Sequence, residues 1–526
     1  MKKADKALME RIQAHVSFLA DDKLEGRRTG TNGEKLAYEY ISNEFSKAGL
    51  LAKGNNNSFI QQFPVYEGKQ INNASHLIIN DNELKLEKEY FPLAFSANNF
   101  TESATALALQ ESGSVWLIDI DDKLKENKNN PHFDLAEAIK TMTDAAADKG
   151  ATALIVYNTG KTEDNLKFEP KSKIELAKIP VLYLTKDAQK AYLKDKAAIL
   201  DIKLKVDIGE KNRAGHNVIG YVDNNAATTI VIGGHYDHLG YGEDHNSLHT
   251  STTPMIHNGA DDNASGTAAV IELGKMLKKS KFKNNNYVLV CFSGEELGLF
   301  GSKYFIDNAG IDISTINYMI NMDMIGRLND STHGLTIGGY GTSPVWGRVL
   351  TPKNDYFSVK FDSSGTGPSD HSSFYRKDIP VLFFFTGTHT DYHKPSDDAD
   401  KLNYDGEVKV VKYIYDIVAA TNKLPKLQFT KTREVAMSGK SSFKVSLGIM
   451  PDYAFGSSGV RADGISDGKP AQKAGLKAGD ILLQLGEYKF SDVQSYMEVL
   501  SKFKKGDATT VKVKRGEQVL TFDIVF

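Results

Sequence analysis

Adjacent glutamates at the end of an apolar run are the most chemically loaded feature of this chain: Ser293-Gly294-Glu295-Glu296-Leu297-Gly298 follows the run Tyr287–Phe292. Two acids at a strand end are costly unless they are paired or bound to a cation. One of them can hold a metal while the other works as a base on a water. The plainer reading is two acids in the first turn of a helix, favoured by its dipole. A second segment is Gly233-Gly234-His235-Tyr236-Asp237-His238. In extended chain His235 and Asp237 point the same way. An Asp beside a metal-binding His can accept its other ring N–H, which fixes the tautomer and raises ligand basicity. A third, Gly259-Ala260-Asp261-Asp262-Asn263-Ala264-Ser265-Gly266, puts acids at the mouth of a helix. They are either cap residues or a carboxylate ligand where small neighbours allow close approach. Asp323 ends an apolar run in Ile320–Gly326, and Asp391-Tyr392-His393-Lys394-Pro395-Ser396-Asp397 follows near the end of the block. Imidazoles and carboxylates without a thiolate suit a divalent ion such as zinc. Ser369-Asp370-His371-Ser372 is expected to line a substrate pocket through Asp370 and His371, with a buried polar network as the alternative.

The elements that position these residues read as α/β. Runs at Thr229–Gly233, Tyr287–Phe292, Tyr318–Met322 and Val381–Phe385 are nearly continuous apolar strands, as expected when helices cover both faces of a sheet. Helical stretches such as Gly266–Leu277 and Asp405–Lys423 separate them. The alternation predicts a helix–sheet–helix sandwich with its site at the C-terminal ends of the strands. Helical spacing also runs through 11–50, interrupted by Leu24-Glu25-Gly26-Arg27-Arg28-Thr29-Gly30. The expected organisation is 1–74 as the first part of this core, 75–208 as an insert, 209–425 as the main core, 426–442 as a linker and 443–526 as a small β-rich domain. In the last, strands are expected at Lys444–Ile449, Ile481–Leu485, Thr510–Lys514 and Leu520–Val525. The insert shows no metal or nucleophile motif.

With 526 residues, several domains are expected. A net charge of −3 gives no sign of nucleic acid or an anionic membrane as partner. No stretch is long and apolar enough to span a membrane. The single cysteine, Cys291, sits in a buried-strand pattern and reads as an inert core thiol.

The set Gly-Gly-His235-x-Asp237, Gly-Ala-Asp-Asp262-Asn-Ala-Ser-Gly, Ser-Gly-Glu295-Glu296-x-Gly, Asn-Met-Asp323-Met-Ile-Gly and Asp-Tyr-His393 closely resembles the M28 family of co-catalytic zinc peptidases. The insert resembles a protease-associated (PA) domain. The C-terminal block resembles a PDZ domain, with Leu447, Gly448 and Ile449 at the place of its carboxylate-binding loop. The resemblance implies the zinc-exopeptidase sandwich with a mixed, mostly parallel sheet, and two Zn2+ per chain. It implies that Asp262 bridges the ions, that His235 and Asp323 complete one, and that Glu296 and His393 complete the other. It also implies a cis peptide after Asp262, Glu295 as general base towards a metal-bridging water, Asp237 as partner of His235, and Tyr392 as donor to the oxyanion.

An aminopeptidase acting on peptide substrates is the first expectation. A carboxypeptidase of the same fold would need a basic pocket, for which Arg327 and Arg376 are the candidates. A glutaminyl cyclase shares the fold, and a non-catalytic PDZ/PA scaffold that binds peptides is the reading from another class. The PDZ block is expected to take a C-terminal peptide. The domain arrangement implies an extracytoplasmic location with a signal segment removed, and a cytoplasmic one is the alternative.

Overall fold

The computed structural model describes residues 2–128, 130, 133–195, 198–244, 246–249, 253–350, 356–432, 445–451, 455, 457–465, 468–491 and 493–526. The chain divides into two compact units, one of Met1–Val65, Ala214–Phe455 and Gly459–Phe526, the other essentially Tyr66–Arg213.

The first unit is built on a nine-stranded sheet. Its strands in chain order are β1 (Leu51–Ala52), β2 (Ile60–Ile71), β3 (Ile208–Val222), β4 (Thr229–His235), β5 (Asn286–Phe292), β6 (Ile316–Met322), β7 (Gly334–Gly338), β8 (Ser358–Phe361) and β9 (Val381–Phe385). They lie in the order β1-β3-β5-β4-β6-β9-β7-β8, with β2 beside β3. The central strands β5, β4, β6 and β9 are mutually parallel. β3 pairs antiparallel with β5, and β7 antiparallel with β9. β4, β5 and β6 are buried along their whole length, which is why their sequences show no polar alternation.

Alternate side chains of these strands feed two cores. Ile230, Ile232, Leu289, Cys291, Ile320, Met322 and Phe384 pack with α1 (Lys3–Leu19), α2 (Asn32–Lys47), α3 (Gly266–Lys279) and a later helix, Tyr404–Thr421. Val231, Val288, Val290, Phe292 and Met319 face the short helices Phe300–Asp307 and His371–Tyr375. A fully buried side chain of this kind is worth ~1.5–3 kcal/mol relative to exposure, so the sheet and its two helical layers are a strong frame for whatever its strand ends carry. Cys291 is a free, buried thiol whose ionisation is pushed up by burial.

The C-terminal part of this unit has its own six-stranded sheet of Ile449–Pro451, Val460–Ile465, Ile481–Leu485, Ala508–Arg515 and Gln518–Val525, with Tyr488–Lys489 beside Ile481–Leu485. Its first strand begins at Ile449, so the expected strand over Lys444–Ile449 is displaced. Gly448 takes φ of +84°, which breaks extended backbone there. Val460–Ile465, with a charged Arg461 and Asp463 in its run, is a strand that polarity concealed. Much of the expected linker, 433–442, and residues 443–444 lie outside the described residues. The second unit contains two four-stranded sheets, one mixed, of Tyr90–Pro92, Val115–Asp119, Ala153–Tyr157 and Val181–Leu184, and one antiparallel, of His76–Ile79, Asn82–Glu83, Asn99–Ala106 and Ile199–Val206. Among the described residues no helix is long and apolar enough to cross a membrane.

Candidate metal centre

The three central parallel strands end side by side. β4 ends at His235, β5 runs into Glu295 and Glu296 through Ser293-Gly294, and β6 delivers Asp323. Asp262 comes from the turn that opens α3, and His393 from the loop after β9. The peptide bond Asp262–Asn263 is cis.

These side chains meet around the two oxygens of Asp262. His235 Nε2 lies 3.3 Å from Asp262 Oδ1 and 3.4 Å from Asp323 Oδ1. His393 Nε2 lies 3.3 Å from Asp262 Oδ2 and 3.2 Å from Glu296 Oε2. Such separations sit at or beyond the long end of N–H···O hydrogen bonds, whose mode is ~2.9–3.0 Å. Two atoms each ~2.0–2.1 Å from one tetrahedral zinc stand about 3.3–3.4 Å apart. The donor set therefore fits two cations sharing Asp262, with His235 and Asp323 on one side and Glu296 and His393 on the other. His238 is a rival for the second position, because its Nδ1 is also close to Asp262 and Glu296. It stands only 2.7 Å from Glu296 Oε1, which is a hydrogen-bond distance with no room for an ion between. His393 has the ligand spacing and His238 does not.

The Nδ1 atoms of both imidazoles are anchored. His235 Nδ1 is 3.1 Å from the Asp237 carbonyl and 3.6 Å from its carboxylate, so the backbone is the nearer partner. His393 Nδ1 is 2.9 Å from the Asn246 carbonyl. Asp237 Oδ1 accepts from the Glu295 N–H at 3.2 Å, and Oδ2 from the Thr29 hydroxyl at 3.0 Å. Asp323 Oδ2 accepts from Ser369 Oγ at 2.7 Å. His235, His393 and Asp323 are thus each oriented from behind, as candidate metal ligands require.

The loop carrying Asp262 is held from two directions. Asp397 Oδ2 accepts the backbone N–H of both Asp261 and Asp262 at 3.0 Å. The guanidinium of Arg27, fully buried, donates to the carbonyls of Leu19, Tyr236, Asn258 and Gly259. Burial brings its pKa down to about 10, with Asp237 and Asp262 opposing the shift.

The electrostatics of the cluster are those of an excess of carboxylates. Burial would depress His235, but Asp323, Glu295, Asp237 and Asp262 outweigh it and hold its pKa well above the ordinary value. Burial acts likewise on His393, and Glu296 and Asp262 raise it to about 11. Glu296 is kept at about 2 by His393 and His238 against the effects of burial and Asp262. Glu295 goes the other way. Burial, with Asp323, Glu296 and Asp370 beside it, lifts it well above the carboxylate range against the pull of His235. Two adjacent acids thus differ in kind, one a ready anion and one disposed to hold a proton.

Tyr392 stacks on His393, with ring centroids 4.0 Å apart, and burial pushes its hydroxyl up. Asp370 and His371 do not face solvent. Both are buried, and His371 stacks on Phe383 at 4.5 Å. The Ser369–Ser372 segment is a buried polar layer beside Asp323. Leu447 and Ile449 are buried around Gly448, whose N–H donates to Ser446 Oγ at 3.2 Å. Thr29, Arg27, His238 and Asp397 were not assigned roles from sequence. His238 was hidden by strand alternation, which points it away from His235. The strand ends at His235, so that alternation no longer applies.

Comparison with known proteins gives the centre a context. Residues 217–418 match peptidase family M28, and residues 428–525 match the PDZ domain. The chain is 26% identical over 315 residues to Aminopeptidase YwaD of Bacillus subtilis, covering 56% of this chain and 62% of the relative. It is 29% identical over 255 residues to an aminopeptidase of Pseudomonas aeruginosa, covering 46% of this chain and 44% of the relative. The chain thus spans about half to three-fifths of the length of these relatives. A solved zinc aminopeptidase from Bacillus subtilis overlays with a TM-score of 0.43 at 19% identity, covering 80% of this chain and 95% of that one.

Proposed function

With a peptidase family M28 domain over residues 217–418 as the premise, we propose that this chain is a two-zinc aminopeptidase that removes N-terminal residues from peptides. The observation that carries the reading is the set of four nitrogen–oxygen separations of 3.2–3.4 Å around the two oxygens of Asp262. They match ligands sharing tetrahedral ions and are long for hydrogen bonds. In this reading His235, Asp323 and Asp262 hold one ion and Glu296, His393 and Asp262 the other. When bound, the ions supply Lewis-acid polarisation of the scissile carbonyl and a water of lowered pKa.

The residues of the chain do the rest. Glu295 takes a proton from the attacking water and delivers it to the leaving amine, a role supported by its place beside His235, 4.0 Å from Nε2, with its backbone N–H held by Asp237. Asp237 and the backbone at Asp237 fix the His235 ring. Tyr392, beside His393, is assigned to donate to the developing oxyanion. Removal of residues from the N-terminus is supported by the relatives, which are named aminopeptidases. Of the two candidate cations for the carboxypeptidase alternative, Arg327 donates through Nη2 to Asp391 at 3.1 Å. Residues 75–208 are proposed as the PA-type insert, and the PDZ domain as a binder of C-terminal peptides.

The test is metal content by mass spectrometry together with hydrolysis of a panel of aminoacyl-p-nitroanilides, with and without chelator. About two zinc per chain and chelator-sensitive release are expected. No metal and no release would overturn the reading in favour of a peptide-binding scaffold.

A further inference from the structure

His238 is a buried imidazole beside the centre that the reaction does not use. Its Nδ1 lies 2.7 Å from Glu296 Oε1. A carboxylate that ligates a cation can only accept, so in this contact the His238 Nδ1–H donates. That hydrogen bond occupies one carboxylate oxygen and leaves the other, Oε2, facing His393 Nε2 at 3.2 Å.

The ring is locked in this pose. A Cβ on Gly259 would lie 2.5 Å from its Cγ and Cδ2, so the ring packs flush on bare backbone, at a glycine with φ of +56°. Its edge also meets the His393 ring, with centroids 5.9 Å apart. The remaining nitrogen separates His238 from the ligands. Metal-binding imidazoles pass their other N–H to a carbonyl or carboxylate, as His235 does to Asp237 and His393 to Asn246. His238 Nε2 is buried with no hydrogen-bond partner.

We propose that His238 is a positioning residue that holds Glu296 in one-oxygen coordination and so makes the second cation position selective for a small four-coordinate ion such as Zn2+. Ions that demand six or more oxygen ligands draw on two-oxygen carboxylates and added waters. A Glu296 whose second oxygen is tied to His238 cannot supply that. The inference rests on the two-zinc reading and deepens it.

The experiment uses the full chain, stripped of metal, and titrates Zn2+ and Mn2+ in chelator-buffered solution. The visible spectrum of the Co2+-loaded protein reports coordination number. Two variants remove the donor in different steric ways: His238→Phe keeps a ring against Gly259, and His238→Ala removes it. His238→Asn restores an N–H near the position of Nδ1. Thermal melts of the metal-free chains establish which variants fold. The expected result is a fall of about 10–100-fold in Zn2+ affinity at the second position in the Phe and Ala variants. Mn2+ affinity falls less, the Co2+ bands weaken as coordination number rises, and the Asn variant recovers the Zn2+ preference. An unchanged Zn2+/Mn2+ ratio in folded Phe and Ala variants would overturn the inference and leave the two-zinc reading standing. Loss of the second ion from all three variants would overturn it by making His238 a ligand. A wild-type chain that takes up no second ion would overturn both.

Discussion

Glu407 offers a stability prediction that can be worked in numbers. It lies in the first turn of the helix Tyr404–Thr421, fully buried, and neither carboxylate oxygen has a hydrogen-bond partner. Two effects oppose each other. The helix dipole favours the charged form by ~0.3–1 kcal/mol at exposed sites and up to ~2 in buried geometries. Desolvating a lone carboxylate costs more than that, so the group neutralises instead. Burial, reinforced by Asp261, accordingly puts its pKa well above the ordinary 4.5. An acid with a raised folded-state pKa binds more protons folded than unfolded. Stability is therefore lost as pH rises above the unfolded value, by about 1.4 kcal/mol per pH unit while the group stays neutral. Glu407→Gln is isosteric and cannot ionise. Its stability relative to wild type should therefore improve as pH rises above 5, at up to about 1.4 kcal/mol per pH unit for as long as Glu407 stays neutral, and its Tm should rise with it. The assay is thermal unfolding of both chains in parallel buffers, where the difference cancels every other titrating group. A flat difference across that range would refute the reasoning, because it would mean that Glu407 is charged in the folded protein and has a cationic partner.

Three further outcomes follow from the centre. Glu295→Gln should lower kcat by ~10²–10⁴-fold with cation content unchanged, measured by steady-state hydrolysis beside metal analysis, and near-normal turnover would remove Glu295 from the reaction. Asp397→Ala leaves the N–H groups of Asp261 and Asp262 without their shared acceptor. At ~1–3 kcal/mol for each, calorimetry should show a loss of about 2–6 kcal/mol together with weakened cation binding. His235 and His393 both hold protons strongly in the metal-free chain, so cation uptake should release them and acidify a weakly buffered solution. Affinity should then rise with pH, and uptake without acidification would contradict the ligand assignment.

The frame was legible because it is buried on both sides. β4, β5, β6 and β9 declared themselves as apolar runs, and the strand read at Val381–Phe385 has the bounds of β9. The acids and imidazoles at their ends could be read as a group, and the structure brings His235, Asp262, Glu295, Glu296, Asp323 and His393 together. What supports them could not be read. Thr29 reaches Asp237 across 208 residues, and Glu34 takes the Ser293 hydroxyl across 259. No local pattern encodes such partners. β7 and β8 lack such an apolar run: β7 has a glycine at each end and a threonine at its centre, and β8 alternates between exposed and half-buried positions. Asp370 and His371 kept two readings open in the sequence, because a polar run after a glycine-rich turn looks the same whether it faces a pocket or packs behind another side chain.

The cradle around Arg27 also sets a timetable for the newborn chain. Its guanidinium waits for carbonyls 209 and 231 residues further on, at Tyr236 and Asn258. At ~5–20 residues per second of synthesis, that is about 10–45 s during which the first two helices have emerged without their partners. The last imidazole, His393, emerges later still. From His235 to His393 the growing polypeptide carries part of this set of side chains, and only after His393 the whole of it.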